Sequence, residues 1–441
     1  MEKNQQDMQD RREARRKRRQ RSQILAYILL IIMIAVLTAG IVAGAKYVND
    51  KIQEKKETQQ EQQSVVDELL ATEETLTVPE STEETVVELT PEQKLDEIVN
   101  AGIEVMPLED KVAGLFIVTP ESITGVSAAI QAGEGTQNAL SQYAVGGIIY
   151  SNKNMQSAEQ LSEMIDNTKL YSKYPLFIAV DEEGGKVSRV ADADLADRVD
   201  SAKTIGETGD ANNAYQAGVT IGTYLAELGF NLNFAPVADL ANVENSIMAE
   251  RAFGSDAATV APFVTAMMQG LIEQNVTACL KHFPGIGSTT QDTHDGLAST
   301  DRSLEDFKAN ELAVFQAGID AGADMIMVGH VSAPALAGDN TPSSLSSAVV
   351  TGILRDEMKY KGVIISDALN MSAISEYYSS EQAAVMALKA GCDMILMPEN
   401  FQEAYEGVLQ AVAEGTISEE RINDSLRRIY RIKYADKITE E

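Results

Sequence analysis

Tryptophan is absent from this chain of 441 residues, and only two cysteines and three histidines occur. Because sugar rings often stack on aromatic faces, the lack of tryptophan argues against a long open cleft for polysaccharide chains. Cys279 and Cys392 lie far apart in apolar segments, so we expect two buried free thiols. Positive charge is also scarce, since 36 basic and 67 acidic residues give a formal net charge of −31. A surface this acidic repels phosphate backbones, which argues against nucleic acid as a partner.

Sequence motifs for the common cofactors are missing as well. The chain has no P-loop and no G-x-S-x-G elbow. Gly184 and Gly185 lack the third glycine and the spacing of a dinucleotide fingerprint. His282 and His294 lie about a dozen residues apart, without the H-E-x-x-H register of a zinc helix. We therefore expect neither a cofactor nor a metal ion.

The N-terminal part of the chain predicts a membrane anchor and a spacer. Residues 1–23 are a basic segment, and the uncharged, mostly apolar run 24–45 follows. At about 1.5 Å per residue this run is long enough to cross a bilayer as one transmembrane helix. The flanking charge favours a cytoplasmic N-terminus and an extracellular remainder, as in a single-pass protein of the cell membrane. A signal peptide cleaved after the small residues 43–45 is the alternative. Residues 46–90 predict an acidic flexible linker.

Residues 91–441 are the predicted ordered domain, in which eight short apolar runs are each followed by a helix-length amphipathic stretch. Runs that are apolar throughout suit parallel strands buried on both faces, and their alternation with helices indicates an α/β fold. Eight such units in about 345 residues predict a (β/α)8 TIM barrel, with a doubly wound open sheet as the alternative. The runs are Gly114–Val118, Gly147–Tyr150, Leu176–Val180, Leu232–Val237, Ala278–Phe283, Met325–Val328, Val363–Ser366 and Met394–Met397.

Polar residues follow most of these runs. A barrel brings the carboxyl ends of its strands together around one mouth, where active sites are built. One polar residue leaving a strand is commonplace, but several on the same rim predict a site. The rim residues are Asp181, Glu182, Glu183, Asp239, Lys281, His282, His330 and Asp367.

The segment 281–296 is the longest informative stretch. Two glycines and a proline in K-H-F-P-G-I-G (281–287) predict an unusual backbone path at a strand end. Asp292 then precedes His294 by two positions. An aspartate in a loop can accept a hydrogen bond from one imidazole nitrogen, which leaves the other to exchange protons. A histidine merely pinned by an aspartate is the alternative.

Six ordered motifs run through residues 91–435. They are D-E-E-G-G-K-V-S-R (Asp181–Arg189), N-F-A-P-V-A-D (Asn233–Asp239), E-R-A-F-G (Glu250–Gly254), K-H-F-P-G-I-G (Lys281–Gly287), D-T-H (Asp292–His294) and S-D-A-L-N-M (Ser366–Met371). Together they resemble the motifs of family 3 glycoside hydrolases, specifically the single-barrel β-N-acetylglucosaminidases of bacterial cell-wall recycling.

The resemblance implies an activity and a role for each matching residue. It implies retaining hydrolysis of terminal β-linked N-acetylglucosamine, or another N-acetylhexosamine, from glycans of the peptidoglycan type. Asp367 is the implied nucleophile, and His294 is the implied general acid/base, assisted by Asp292. The residues implied to hold the sugar in the first subsite are Asp181, Arg189, Arg251, Lys281 and His282.

Some positions depart from the family pattern. Ile286 and Ser288 replace the second histidine and the aspartate of the family pattern K-H-F-P-G-H-G-D-T. Ala368 stands where the family pattern S-D-D has its second aspartate. Lys186 stands where arginine is common. None of these changes removes an implied catalytic group, but they leave the aglycone unpredicted.

Three other functions remain open. The same barrel could cleave β-glucosides or β-xylosides, although those family members generally carry a second domain that supplies a carboxylate acid. Phosphate could replace water as the acceptor, because a histidine acid/base tolerates an anionic acceptor better than a carboxylate does. A surface-tethered protein that binds glycan without catalysis is the non-enzymatic alternative, favoured by Ile286 and Ser288.

Overall fold

The computed structural model describes residues 89–292 and 296–435. In this part of the chain, the strands are β1 (Phe116–Val118), β2 (Gly147–Ile149), β3 (Phe177–Val180), β4 (Glu182–Gly184), β5 (Val187–Ser188), β6 (Leu232–Asn233), β7 (Thr277–Phe283), β8 (Met325–Val328), β9 (Val363–Ala368) and β10 (Met394–Leu396). Eight parallel strands close into a barrel in the order β1-β10-β9-β8-β7-β6-β3-β2, and β4 and β5 form a separate hairpin.

Helices surround this barrel. The α-helices are α1 (Pro91–Glu104), α2 (Leu108–Ala113), α3 (Pro120–Thr124), α4 (Glu134–Gln142), α5 (Ala158–Tyr171), α6 (Arg189–Asp192), α7 (Ala202–Glu207), α8 (Ala211–Leu228), α9 (Ala257–Ile272), α10 (Leu304–Ala309), α11 (Glu311–Asp320), α12 (Pro334–Ala337), α13 (Ser372–Ser375), α14 (Ser380–Ala390), α15 (Phe401–Ala413) and α16 (Glu419–Lys433). Short 3₁₀ turns span Asn152–Asn154 and Ser343–Leu345, and a π-helical segment spans Ala348–Glu357.

Each of the eight predicted runs overlaps one barrel strand, so the barrel prediction is confirmed and the open-sheet alternative is wrong. The fourth run, Leu232–Val237, is shortened to the two residues of β6. Proline lacks the N–H that a ladder needs, and Pro236 lies in the second half of this run. The hairpin of β4 and β5 was not predicted, because its acidic and glycine residues have no strand-like pattern.

Apolar side chains fill the barrel and the layer between strands and helices. Strands β1 and β8 are buried along their whole lengths. On α8, Ile221 and Leu225 are fully buried and face this layer. Each such side chain contributes about 1.5–3 kcal/mol relative to an exposed one. Both cysteines are buried free thiols, as expected.

A buried aspartate joins the last helix to the barrel. Asp393 directly precedes β10 and is fully buried. Its Oδ2 accepts a hydrogen bond from Arg355 Nη2 at 2.7 Å, and its Oδ1 accepts hydrogen bonds from Ser425 Oγ at 2.8 Å and Arg428 Nη1 at 2.9 Å. Because Ser425 and Arg428 belong to α16, this carboxylate fixes the closing helix at the amino ends of the strands.

The predicted basic segment 1–23, transmembrane helix 24–45 and most of the linker 46–90 lie outside the described residues. Within 89–292 and 296–435, no helix is long and apolar enough to cross a membrane. The domain boundaries given above therefore stay predictions.

Candidate active site

Four of the predicted site residues gather where the strands of the barrel end. Asp181 follows β3, Lys281 and His282 lie in the last half of β7, and Asp367 lies near the end of β9. Lys281 Nζ donates to Asp181 Oδ1 across the mouth at 2.7 Å. Since the charges of His282 and Lys281 both act on the Asp367 carboxylate, these four groups share one electrostatic environment.

A second carboxylate, that of Glu183, forms ion pairs with both cations of the site, Lys281 and Arg251. Its Oε1 lies 2.7 Å from both Lys281 Nζ and Arg251 Nη2, and Arg251 Nε donates to its Oε2 at 2.8 Å. Burial raises the pKa of Glu183, but the charges of Lys281 and Arg251 outweigh burial and hold that pKa well below its usual range. Glu183 is therefore ionised, and it fixes both donors in place.

Lys281 keeps its charge even though only 3% of its side chain is exposed. Burial lowers the pKa of Lys281, but the carboxylates of Asp181 and Glu183 raise it by more. Two cations, Lys281 and Arg251, face two carboxylates, so the cluster is balanced. A buried charge is tolerated only when it is paired in this way.

His282 is oriented by Asp239, which follows β6. His282 Nδ1 lies 2.7 Å from Asp239 Oδ2, and its backbone N–H donates to the same oxygen at 3.1 Å. The backbone N–H of Ile286 donates to the other carboxylate oxygen at 2.7 Å. Because a carboxylate only accepts hydrogen bonds, Asp239 keeps a proton on Nδ1, and Nε2 is the ring nitrogen left for a substrate.

Asp367 has the environment of an ionised nucleophile. Its side chain is buried, and its Oδ1 accepts a hydrogen bond from the Ala368 N–H at 2.8 Å. Burial raises the pKa of Asp367, but the charges of His330 and His282 oppose burial. With the Ala368 hydrogen bond and the charge of Lys281, they leave that pKa below its ordinary value. A carboxylate that stays charged in a buried site is suited to attack an electrophilic carbon.

His330 lies beside this carboxylate and is fully buried. Its Nδ1 is 2.8 Å from Ser344 Oγ, and its Nε2 is 3.0 Å from the carbonyl oxygen of Ala368. Since a carbonyl can only accept, Nε2 carries a proton. His330 therefore fixes the carbonyl group of Ala368, the residue after Asp367.

The structure places Arg189 at the edge of the cluster. Its backbone N–H donates to the carbonyl oxygen of Asp181 at 3.2 Å. Its side chain is 37% exposed, and its guanidinium lies 3.9 Å from Asp192. Arg189 is therefore near the mouth, but it does not belong to the paired cluster of Lys281 and Glu183. Its role in holding sugar stays a prediction.

Of the predicted acid/base pair, the structure describes only Asp292, which is exposed. His294 lies in the undescribed residues 293–295. The loop that leads to them is packed closely at its start, because a Cβ on Gly287 would lie 1.7 Å from the Leu240 carbonyl oxygen. Farther along, Ser288 Oγ donates to Thr300 Oγ1 at 3.1 Å.

Ile286, which departs from the family pattern, packs in a small apolar cluster with Val237, Met248 and Val331. It is only 3% exposed. An imidazole in this apolar surrounding would need a hydrogen-bond partner, whereas isoleucine fills the space without one. The substitution is therefore consistent with its local packing.

Glu183, Asp239 and His330 were recognised in the sequence only as rim residues. The role of Glu183 could have been predicted from Lys281. A lysine in an apolar strand must meet a carboxylate, and D-E-E (181–183) offers three. No comparable signal pairs His282 with Asp239. Among the described residues, no group of three His, Cys, Asp or Glu side chains could hold a metal ion.

The mouth thus combines an ionised buried carboxylate, an oriented histidine and paired cations that can donate hydrogen bonds. A barrel with these groups at its carboxyl end belongs to the enzymes of nucleophilic and general acid–base catalysis. Comparison with known proteins gives the family. Residues 107–432 match the model of the glycosyl hydrolase family 3 N terminal domain. The chain belongs to glycosyl hydrolase family 3.

Individual relatives agree with this assignment. A beta-hexosaminidase of Nitrosomonas eutropha is 38% identical over 264 residues, which cover 58% of this chain and 75% of the relative. Beta-hexosaminidase A of Pseudoalteromonas piscicida is 31% identical over 326 residues, covering 67% of this chain and 54% of the relative. The solved family 3 beta-N-acetylglucosaminidase of Paenibacillus sp. str. FPU-7 has a TM-score of 0.71 and 34% identity, covering 76% of this chain and 64% of that chain. The chain thus spans about half to three quarters of these relatives.

Proposed function

We propose that this protein is a β-N-acetylhexosaminidase that releases terminal β-linked N-acetylglucosamine from cell-wall-type glycans with retention of configuration. The names of the Nitrosomonas and Paenibacillus relatives support this substrate class. The observation that carries the proposal is the environment of Asp367. This buried carboxylate keeps a low pKa at the barrel mouth, among groups that suit sugar hydroxyls.

In the first step, Asp367 attacks the anomeric carbon and the glycosidic C–O bond breaks. His294 gives its proton to the departing oxygen, so the aglycone leaves as an alcohol. The product is a covalent glycosyl-enzyme ester, as in retaining glycosidases generally. Asp292 stabilises the imidazolium before the proton leaves. The roles of His294 and Asp292 rest on the sequence motif.

In the second step, water attacks the anomeric carbon of the ester and His294 takes up its proton. The bond to Asp367 breaks, and the sugar is released with its original configuration. A histidine suits both steps because its unperturbed pKa of about 6.5 lies near the working pH. Water is the only co-reactant, so no cofactor is needed.

The paired cluster holds the sugar during both steps. Lys281 and Arg251 donate hydrogen bonds to sugar oxygens, and Asp181, with 27% of its side chain exposed, accepts them from hydroxyls. Glu183 fixes the two cations and does not need to touch the substrate. His282 donates or accepts through Nε2.

The test is a panel of aryl glycosides given to the full chain. Aryl β-N-acetylglucosaminide should be hydrolysed far faster than aryl β-glucoside or β-xyloside. In phosphate buffer the product should be the free sugar, whereas a glycosyl phosphate would show phosphorolysis. A slow fluorinated N-acetylglucosaminide should leave an adduct on Asp367. Absence of both turnover and adduct would favour a glycan-binding protein without catalysis.

We also propose that residues 24–45 anchor the protein in the cell membrane as one helix, with residues 1–23 in the cytoplasm and the barrel outside. The apolar length of the run and the basic residues before it support this topology. Protease added to intact cells should remove the barrel and leave a short membrane-bound fragment. A barrel secreted without that fragment would instead support the cleaved signal peptide.

A further inference from the structure

We propose that Glu311 is a positioning residue that holds both ends of the loop carrying Asp292 and His294. This loop, residues 285–302, is called the histidine loop below. Glu311 is the first residue of α11 and is fully buried, and it lies outside the motifs by which the family was identified. The inference rests on the proposed acid/base role of the loop.

The first end of the histidine loop rests on the side chain of Glu311. Gly285 has φ +123°, and a Cβ there would lie 2.5 Å from Glu311 Cγ and 2.9 Å from Glu311 Cβ. Only a residue without a side chain fits this approach. The position of the Glu311 side chain therefore determines the path of the chain as it leaves β7.

The second end of the loop meets the same carboxylate. Arg302 Nε lies 3.3 Å from Glu311 Oε1. The same oxygen accepts a hydrogen bond from Asn242 Nδ2 at 2.7 Å. Asn242 follows Asp239, which orients His282, by only three positions. One carboxylate thus connects both ends of the histidine loop with the segment that orients a sugar-binding residue.

If stability were its only role, burying Glu311 would be unfavourable. Its Oε2, Arg302 Nε and Asn242 Oδ1 are buried without a hydrogen-bond partner among the described residues. Burial also raises the pKa of Glu311. A buried polar group that is only partly satisfied destabilises the fold, so an apolar residue would stabilise it better. We therefore assign Glu311 the role of positioning the histidine loop.

If Glu311 acts through the loop, its loss should affect proton transfer and not the attack by Asp367. A displacement of about 1 Å at a reacting group can cost about a hundredfold in rate. The Glu311→Gln variant should therefore lose about 10- to 100-fold in kcat/KM on substrates with poor leaving groups. Activated aryl substrates need little protonation, and their kcat/KM should change only a few-fold.

The experiment compares Glu311→Gln, Arg302→Met and the control Asp320→Asn in the full chain. Asp320 is an exposed carboxylate at the other end of α11, and its variant should match the unaltered chain on both substrates. Arg302→Met should show the same selective loss as Glu311→Gln, and it keeps the test valid if Glu311→Gln does not fold. Equal losses on both substrates would indicate a structural role and overturn the inference.

A double-variant comparison distinguishes the inference from the proposed function. On an aryl substrate of intermediate leaving-group ability, Glu311→Gln should cause no further loss once His294→Ala is present. An undiminished loss in that background would show that Glu311 does not act through His294, and the proposed function would still stand. If the unaltered chain hydrolyses no glycoside, the proposed function fails first and the inference fails with it.

Discussion

Replacing Glu183 with glutamine tests the electrostatic description of the site. Glutamine keeps the size of the side chain but removes the charge that pairs with Lys281 and Arg251, at distances of 2.7 and 2.7 Å. Breaking a buried ion pair costs about 3–5 kcal/mol, because a charge is left uncompensated. Asp181 still pairs with Lys281 at 2.7 Å, so we expect the lower value, about 3 kcal/mol.

This loss of stability should depend on pH in a defined direction. The pKa of Glu183 in the folded protein lies well below its ordinary value, because the two cations outweigh burial. The unfolded chain therefore binds a proton at a higher pH than the folded one, so stability rises with pH in that window. The contribution of Glu183 should be complete above about pH 4.5 and should decline as the pH falls further.

The assay compares the thermal unfolding of Glu183→Gln with that of the unaltered chain at pH 7 and below pH 4.5. For about 345 ordered residues the unfolding entropy is about 0.7 kcal/mol/K, so 3 kcal/mol lowers Tm by about 4 °C. Glu250→Gln is the matched control, since Glu250 is 54% exposed and pairs with Lys203 on the surface. Its Tm should change by less than about 1.5 °C. The reasoning is refuted if Glu183→Gln has the same Tm as the unaltered chain, or if its loss in Tm is the same at both pH values.

Asp367→Ala should abolish hydrolysis of aryl β-N-acetylglucosaminide while circular dichroism shows an intact fold, and turnover at the normal rate would exclude it as the nucleophile. His294→Ala should reduce kcat/KM by about 10²- to 10⁴-fold on poor leaving groups, whereas equal losses on activated substrates would argue for a structural histidine. Burial lowers the pKa of Lys433 to about 7, so its charge destabilises the fold most below pH 7. Lys433→Met also removes the hydrogen bond to the Gly146 carbonyl oxygen, so the Tm of the variant relative to the unaltered chain should be higher at pH 6 than near pH 10; a pH-independent difference would contradict the assignment.

The barrel could be predicted because its strands are apolar throughout and recur with helices between them. All eight runs overlap a barrel strand, although some boundaries differ, as in the fourth run, where Pro236 cannot join the ladder. The hairpin of β4 and β5 could not be predicted in the same way. It is held by tertiary contacts such as the hydrogen bond from Tyr224 OH to Glu182 Oε1 at 2.9 Å, which no local pattern reveals.

The residues of the site could likewise be predicted only in part. Motif residues such as Asp181 and Lys281 could be placed on one rim from strand ends alone, and the structure joins them at 2.7 Å. The pairing of Glu183 with Arg251 spans 68 positions, and Arg251 lies in the long segment between β6 and α9. Sequence separation of that size leaves many partners open, and only the closed barrel selects one. The guanidinium of Arg189 lies outside the paired cluster and near Asp192, so its role in holding sugar stays a prediction.

The pairing of α1 with α16 determines where the two ends of the barrel domain lie. Arg431 bonds to Asp96, and Arg427 Nε donates to Asn100 Oδ1 at 2.9 Å, so the start of α1 lies next to the end of α16. Lys433 donates to the Gly146 carbonyl oxygen at 2.7 Å, just before β2 begins. Both ends therefore meet at the floor of the barrel. An affinity tag or a fused protein attached at either end would leave the opening on the far side free for large glycans to approach.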